Sequence, residues 1–160
     1  MPKGEISTDT IVRNALQKGK KVFIPYVHKV AQATSETPVS VMDMVMLQSL
    51  EDYETLEPDS WGIPTPSKAS IGNRQHCLGE AKVKSRTNEQ TTEGNIEMVI
   101  MPGMAFDTGF GRLGHGKGYY DFFLKRYQEK QVNDRNGRLM PFLGKSSSFL
   151  RPLHIVVCLT

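Results

Sequence analysis

The stretch from Gly109 to Gly118 constrains this chain more than any other. It holds five glycines in ten positions, interleaved with Arg112, His115 and Lys117. Glycine lets backbone amides approach a bound group closely, and the interleaved cations neutralise negative charge, so this is the composition of a phosphate cradle. Upstream, Met98-Val99-Ile100-Met101 is a continuous apolar run closed by Pro102-Gly103, which reads as a strand buried on both faces in a parallel sheet. Downstream, Tyr120, Phe123, Leu124 and Tyr127 recur at i, i+3, i+4 and i+7. That spacing predicts an amphipathic helix whose positive N-terminal end faces the loop. Strand, glycine loop and helix in that order predict an α/β protein.

Two general phosphate-binding templates fit the loop badly. Gly109-x-Gly111-x-x-Gly114 matches a dinucleotide fingerprint, but it starts eight residues after Met101 and no helix begins at its last glycine. Gly111-x-x-x-x-Gly116-Lys117 matches a P-loop until Gly118, where a magnesium-binding Ser or Thr should stand. Asp121, in the first turn of the helix and off its apolar stripe, is the residue able to supply a metal ligand instead. Taken by itself, an acidic residue in a first turn is better accounted for by the helix dipole.

The rest of the chain repeats the α/β rhythm. Ile11, Val12, Ala15 and Leu16 form one stripe of a helix between Ser7 and Lys18, with Ser7, Thr8 and Asp9 as cap candidates and Gly19 after it. Val22-Phe23-Ile24 predicts a short buried strand ending at Pro25. From Val41 to Leu47 a strand would put Met42, Met44 and Met46 on one face, a row that suits core packing better than a ligand cleft. Trp61 to Pro66 is too proline-rich for helix and should run extended. Ser67 to Asn95 is polar and reads as a surface loop or insertion, with a short strand around Ala81 to Lys84; His76 and Cys77 stand there without evident metal partners.

Composition narrows the function classes. No apolar run approaches the roughly 18 to 20 residues of a membrane span, and Met1 to Glu5 is no signal-peptide core. A cytoplasmic address without membrane attachment is expected, with mitochondria as the alternative. Cys77 and Cys158 lie far apart without CxxC spacing, which suggests neither a disulfide framework nor a zinc site. A net charge of +3 is too mild to argue for a nucleic-acid partner. Arg112, Lys117, Lys125 and Arg126, with Tyr119 and Tyr120 for stacking, would make a basic patch for RNA. That reading leaves the ordered glycine and aspartate spacing unexplained, so no nucleic-acid partner is expected.

The run Met101-Pro102-Gly103-Met104-Ala105-Phe106-Asp107, followed by Gly111-Arg112-Leu113-Gly114-His115-Gly116-Lys117-Gly118-Tyr119-Tyr120-Asp121, strongly resembles the 5-formyltetrahydrofolate cyclo-ligase family. Glu5-Ile6-Ser7-Thr8, Gly19 to Pro25, Met42-Asp43-Met44 and Trp61 to Pro66 support the resemblance in the family's order. It implies a three-layer α/β/α fold with a mostly parallel central sheet. It also implies an ATP- and magnesium-dependent ring closure of 5-formyltetrahydrofolate, in some cases polyglutamylated, to 5,10-methenyltetrahydrofolate with release of ADP and phosphate. ATP would phosphorylate the formyl oxygen, N10 would attack the activated carbon, and phosphate would leave.

Carried over position by position, the nucleotide loop is Arg112, Leu113, Gly114, His115, Gly116, Lys117, Gly118, Tyr119 and Tyr120, with Arg112 and Lys117 as phosphate cations. Asp121 is implied as the magnesium ligand. Met1, Glu5, Trp61 and the stretch His115 to Tyr119 are implied to face the folate, with Tyr119 near the formyl group. The resemblance covers residues 1–143 around a polar insertion at about 67–95, and residues 144–160 form a divergent tail. Against the family the chain reads as shortened at its N-terminus, so the fold is expected to be incomplete. A monomeric enzyme is the first expectation. A nucleotide- or folate-binding remnant without turnover, from a shortened isoform or gene model, is the second.

Overall fold

A computed structural model describes residues 8–30, 38–59, 62–79, 96–108, 111–133 and 142–146. The chain is mixed α/β. Helix α1 (Asp9–Gln17) starts behind Thr8 and ends before Gly19, whose φ of 71° suits the left-handed turn that leaves a helix. Of its apolar stripe, Val12 and Ala15 are buried and Leu16 half-buried, while Ile11 is exposed. The expected stripe is therefore wider than the surface the helix actually packs.

Strand β1 (Phe23–Lys29) pairs antiparallel with β2 (Ser40–Met46), Ile24 opposite Val45 and Val27 opposite Met42. Pro25 does not end β1 as the sequence suggests. Bonds from Val30 N to Val39 O and from Leu47 N to Val22 O make the even-numbered residues of β1 the hydrogen-bonded ones. The Pro25 nitrogen therefore points away from β2, where its missing proton costs nothing. On the other side of β2, Cys77 N donates to Met44 O and Met46 N donates to Gln75 O.

Residues 67–79 are thus no loose surface loop. After α2 (Leu50–Glu54) and the two-residue strands β3 (Glu57–Pro58) and β4 (Pro64–Thr65), the short helix α3 (Lys68–Ile71) leads to Arg74. Arg74 is buried, with Nη1 and Nη2 on the two oxygens of Asp52 at 2.6 and 2.5 Å and Nη1 also 3.0 Å from Met46 O. Burying a charge is tolerable only with such compensation. The short strand expected at residues 81–84 lies outside the described residues, as do the tail after 146 and Cys158.

Strand β5 (Val99–Gly103) runs parallel to β8 (Phe142–Ser146), Val99 opposite Phe142. It is buried nearly throughout, as expected, but extends through Pro102 and Gly103. The expected mostly parallel central sheet is represented by this one parallel pair. The other pairings among the described residues are antiparallel: β1 with β2, β3 with β4, and β6 (Ala105–Phe106) with β7 (Arg112–Leu113). Between β1 and β2 only a short connection intervenes, which suits antiparallel pairing; parallel pairing needs a longer crossover.

The strands divide the core into two clusters. Val99, Met101, Phe23, Met42 and Met44 pack with Tyr120, Phe123 and Tyr127 of α4 (Tyr119–Asn133). Ile100, Ile24 and Val45 pack with Val12 and Ala15 of α1 and Tyr53 of α2. The methionine row is core, in keeping with its composition. The α4 stripe also holds: Tyr120, Phe123 and Tyr127 are buried and Leu124 half-buried. Tyr127 Oη accepts from Ile96 N at 2.8 Å, which satisfies a buried donor ahead of β5.

Candidate active site

The site forms where β5 ends. The chain turns through the β6–β7 hairpin, tied by Met104 N to Leu113 O (2.7 Å) and Asp107 N to Gly111 O (3.1 Å), and then enters the loop before α4. Gly116 and Gly118 have φ of 79° and 67°. L side chains rarely adopt such angles, so glycine at these two positions is a backbone requirement. Gly118 O accepts from Phe122 N at 2.9 Å, closing the first turn of α4 directly behind the loop. Loop backbone and helix N-terminus therefore adjoin, the arrangement that favours an anion.

The two cations of the loop are placed differently. Lys117 is exposed, between the two left-handed glycines, and among the described residues carries no ion pair. Arg112 is turned inward, its side chain 11% exposed. Its Nη1 donates to Pro102 O at 2.9 Å, its guanidinium carbon stands 5.4 Å from the Tyr120 ring centroid, and its Nη2 donates to Asp121 Oδ1 at 3.1 Å. One side chain thus joins the end of β5 to the first turn of α4. A Cβ on Gly114 would lie 3.0 Å from Arg112 Nη1, so the loop backbone passes close to the guanidinium.

Of the residues singled out in the sequence, Arg112, Tyr120 and Asp121 are in direct contact. Leu113, His115, Gly116, Lys117 and Gly118 are exposed along the loop, and Gly114 is half-buried. Tyr119 is half-buried against the cluster of Met42 and Phe123. Asp121 is 68% exposed. Met1, Glu5 and Trp61 lie outside the described residues. The basic patch does not assemble as a free surface: Arg112 pairs with Asp121, Arg126 with Asp43 at 2.7 Å, and Lys125 with Glu129 at 4.0 Å.

One charged cluster, joining β1, β2 and α4, was not read from the sequence. Asp43 Oδ2 lies 2.6 Å from His28 Nε2, and Asp43 Oδ1 accepts from Arg126 Nη2 at 2.7 Å. Arg126 Nη2 also donates to Met42 O at 2.7 Å, on the edge of β2 that residues 75–77 leave uncovered there. Burial pushes the Asp43 carboxyl up, but the hydrogen bonds from His28 and Arg126 outweigh it and hold the group below its ordinary value. The cue in the sequence was the single acidic residue inside an apolar strand, Met42-Asp43-Met44.

The described residues thus form a mixed α/β protein with a glycine-lined loop between a buried strand and a helix. The sequence model of the 5-formyltetrahydrofolate cyclo-ligase family matches residues 1–141. The chain belongs to that family. It is 34% identical over 128 residues to the probable 5-formyltetrahydrofolate cyclo-ligase of Schizosaccharomyces pombe, covering 80% of this chain and 50% of that one. To the 5-formyltetrahydrofolate cyclo-ligase of Mus musculus it is 33% identical over 127 residues, 79% of this chain and 51% of that one. To the mitochondrial 5-formyltetrahydrofolate cyclo-ligase of Arabidopsis thaliana it is 32% identical over 135 residues, 79% and 40% of the two chains. The chain spans about half the length of the curated relatives it matches. Among the described residues, no helix is long and apolar enough to cross a membrane.

Proposed function

We propose that this chain carries the nucleotide loop of a 5-formyltetrahydrofolate cyclo-ligase and serves the ATP-dependent closure of 5-formyltetrahydrofolate to 5,10-methenyltetrahydrofolate, with ADP and phosphate released. The observation that carries the reading is the exposed Lys117 between two left-handed glycines at the start of α4. Exposed backbone beside a helix N-terminus, together with a cation that has no ion pair among the described residues, suits an anion. Phosphoryl transfer needs mainly positioning and charge stabilisation, and little covalent work by side chains.

The roles are assigned as the family resemblance implies them. Lys117 holds negative charge developing on the transferred phosphate, and the amides around Gly116 and Gly118 orient the triphosphate. Arg112 is the second phosphate cation, anchored from below by Pro102 O and the Tyr120 ring. Tyr119, His115 and the loop glycines face the folate side. Transfer of the phosphoryl group to the formyl oxygen would turn that oxygen into a leaving group, so that N10 closes the ring as phosphate departs.

Asp121 fits a magnesium ion by the chemistry of its donor set. Magnesium is commonly held by one or two carboxylates, with substrate phosphates and water completing the shell, and Asp121 is a well-exposed carboxylate beside the loop. When bound, the ion would neutralise phosphate charge. The two core clusters, with α4 on one side and α1 and α2 on the other, support a three-layer arrangement for the family domain. A folate substrate, a monomeric state and a cytoplasmic address complete the proposal.

The test is absorbance-monitored formation of methenyltetrahydrofolate from 5-formyltetrahydrofolate by purified chain, with ATP and magnesium and with each omitted. Product that requires both supports the reading. A folded chain that binds ATP without forming product supports the binding-only alternative, and a folded chain that binds neither ATP nor folate refutes both.

A further inference from the structure

The contacts of Arg112 are of two kinds. Pro102 O and the Tyr120 ring belong to β5 and α4 and are built into the fold, Tyr120 being a buried core residue. The third partner, Asp121, is 68% exposed and reaches the guanidinium through a single bond of 3.1 Å, Nη2 to Oδ1. An exposed ion pair contributes little and exchanges readily. A fixed guanidinium facing phosphate makes charge-assisted, forked hydrogen bonds that are much stronger.

We propose that Arg112 and Asp121 form a latch that a divalent cation opens. Without the cation, the carboxylate occupies Nη2 and half of the cationic pair in the loop is silenced. A cation that takes the Asp121 carboxylate releases Nη2 toward the loop, while Pro102 O and Tyr120 keep the guanidinium where it is. The loop backbone already passes close to the freed nitrogen, since a Cβ on Gly114 would lie 3.4 Å from Nη2. The latch couples metal and nucleotide: each strengthens the binding of the other by the same factor. Arg112 is then a phosphate-binding cation whose availability Asp121 controls. This inference rests on the nucleotide reading of the loop.

The experiment is calorimetric titration of the purified chain with ATP at 0.15 M salt, in chelator and in magnesium. The variants are Asp121→Asn, Arg112→Met and the two combined. In chelator, Asp121→Asn is expected to bind ATP about 10-fold more tightly than the unmodified chain, the size of a freed charge-assisted hydrogen bond. Removing a negative charge near a polyanion also tightens binding by itself, and that share survives when Arg112 is Met. The double-mutant cycle separates the two shares.

A gain that largely disappears in the Arg112→Met background supports the latch; an equal gain in both backgrounds overturns it. Arg112→Lys repeats the comparison with a charge that lacks the fork, should Arg112→Met fail a thermal-unfolding check. If the unmodified chain binds no ATP even with magnesium, the nucleotide reading falls and takes the latch with it. If it binds magnesium-ATP and the cycle shows no coupling, the latch alone falls.

Discussion

Lys117→Ala separates a charge that acts on a bound phosphate from one that merely decorates a loop. Lys117 is exposed and among the described residues has no ion pair, so its removal should leave folding within about 0.5 kcal/mol of the unmodified chain. Its effect on a phosphate depends on how dry the loaded loop is. At 4 Å, two unit charges interact by about 1 kcal/mol in water and about 4 kcal/mol at the effective dielectric of a protein surface. At about 1.4 kcal/mol per decade, these limits correspond to losses of about fivefold and about a thousandfold. In the proposed reading the loop would close around the triphosphate on loading, which would move the pair toward the drier limit. Turnover is therefore expected to fall by about 100-fold or more. Initial rates of methenyltetrahydrofolate formation and magnesium-ATP affinity give the two readouts, with Lys117→Arg as the charge-retaining control. A folded Lys117→Ala chain with unchanged rate and unchanged affinity would refute the assignment.

Four further outcomes follow from the same contacts. Arg74→Ala strips Asp52 of its bidentate partner; because Asp52 keeps some solvent access, a loss of about 3 kcal/mol is expected in urea unfolding, the lower end for a broken buried pair. Phe123→Ala empties a fully buried position between Met42, Met44 and Val99 and should cost about 3 to 5 kcal/mol in the same assay. The Asp43 carboxyl is depressed in the fold, so its contribution is present above the unfolded value, near the ordinary 3.8, and is lost as pH falls through the lower folded value. Melting temperatures from pH 7 down to 3 should drop less steeply for Asp43→Asn than for the unmodified chain, and parallel curves would count against the cluster. Asp121→Asn should move the magnesium dependence of turnover to higher concentration, which a magnesium titration checks; superimposable titrations would argue against Asp121 as the metal ligand.

What could be read from the sequence depended on the range of the interaction. β5 was legible because a strand buried on both faces must be apolar at successive positions, and α4 because Tyr120, Phe123 and Tyr127 all enter one core. Pro25 misled because proline bars only one of the two strand edges, and which edge carries β2 is set by a register that local sequence does not contain. Arg74 was invisible for a similar reason. An arginine in a polar stretch looks exposed until Asp52, twenty-two positions away, is known to meet it. Within the site, the glycines and Lys117 announced themselves by composition. The turn of Arg112 toward Asp121, across a loop of nine positions, is a tertiary fact that neither helical nor strand periodicity encodes.

The division of labour inside residues 99–127 explains why the loop can carry so many glycines without losing its shape. Val99 and Met101 on one side, and Tyr120, Phe123 and Tyr127 on the other, are anchored on the same methionine row of β2. The two ends of the loop are therefore held by packing that does not depend on the loop's own contacts. Arg112 then ties these ends together, from Pro102 O to the first turn of α4. The entropic cost of the flexible backbone is offset by the strand and helix that bracket it. Changes at Val99 or Phe123 should consequently disturb stability and site together, because they move the anchors. Changes at His115 or Lys117 should leave the anchors in place and alter only the response to ligand.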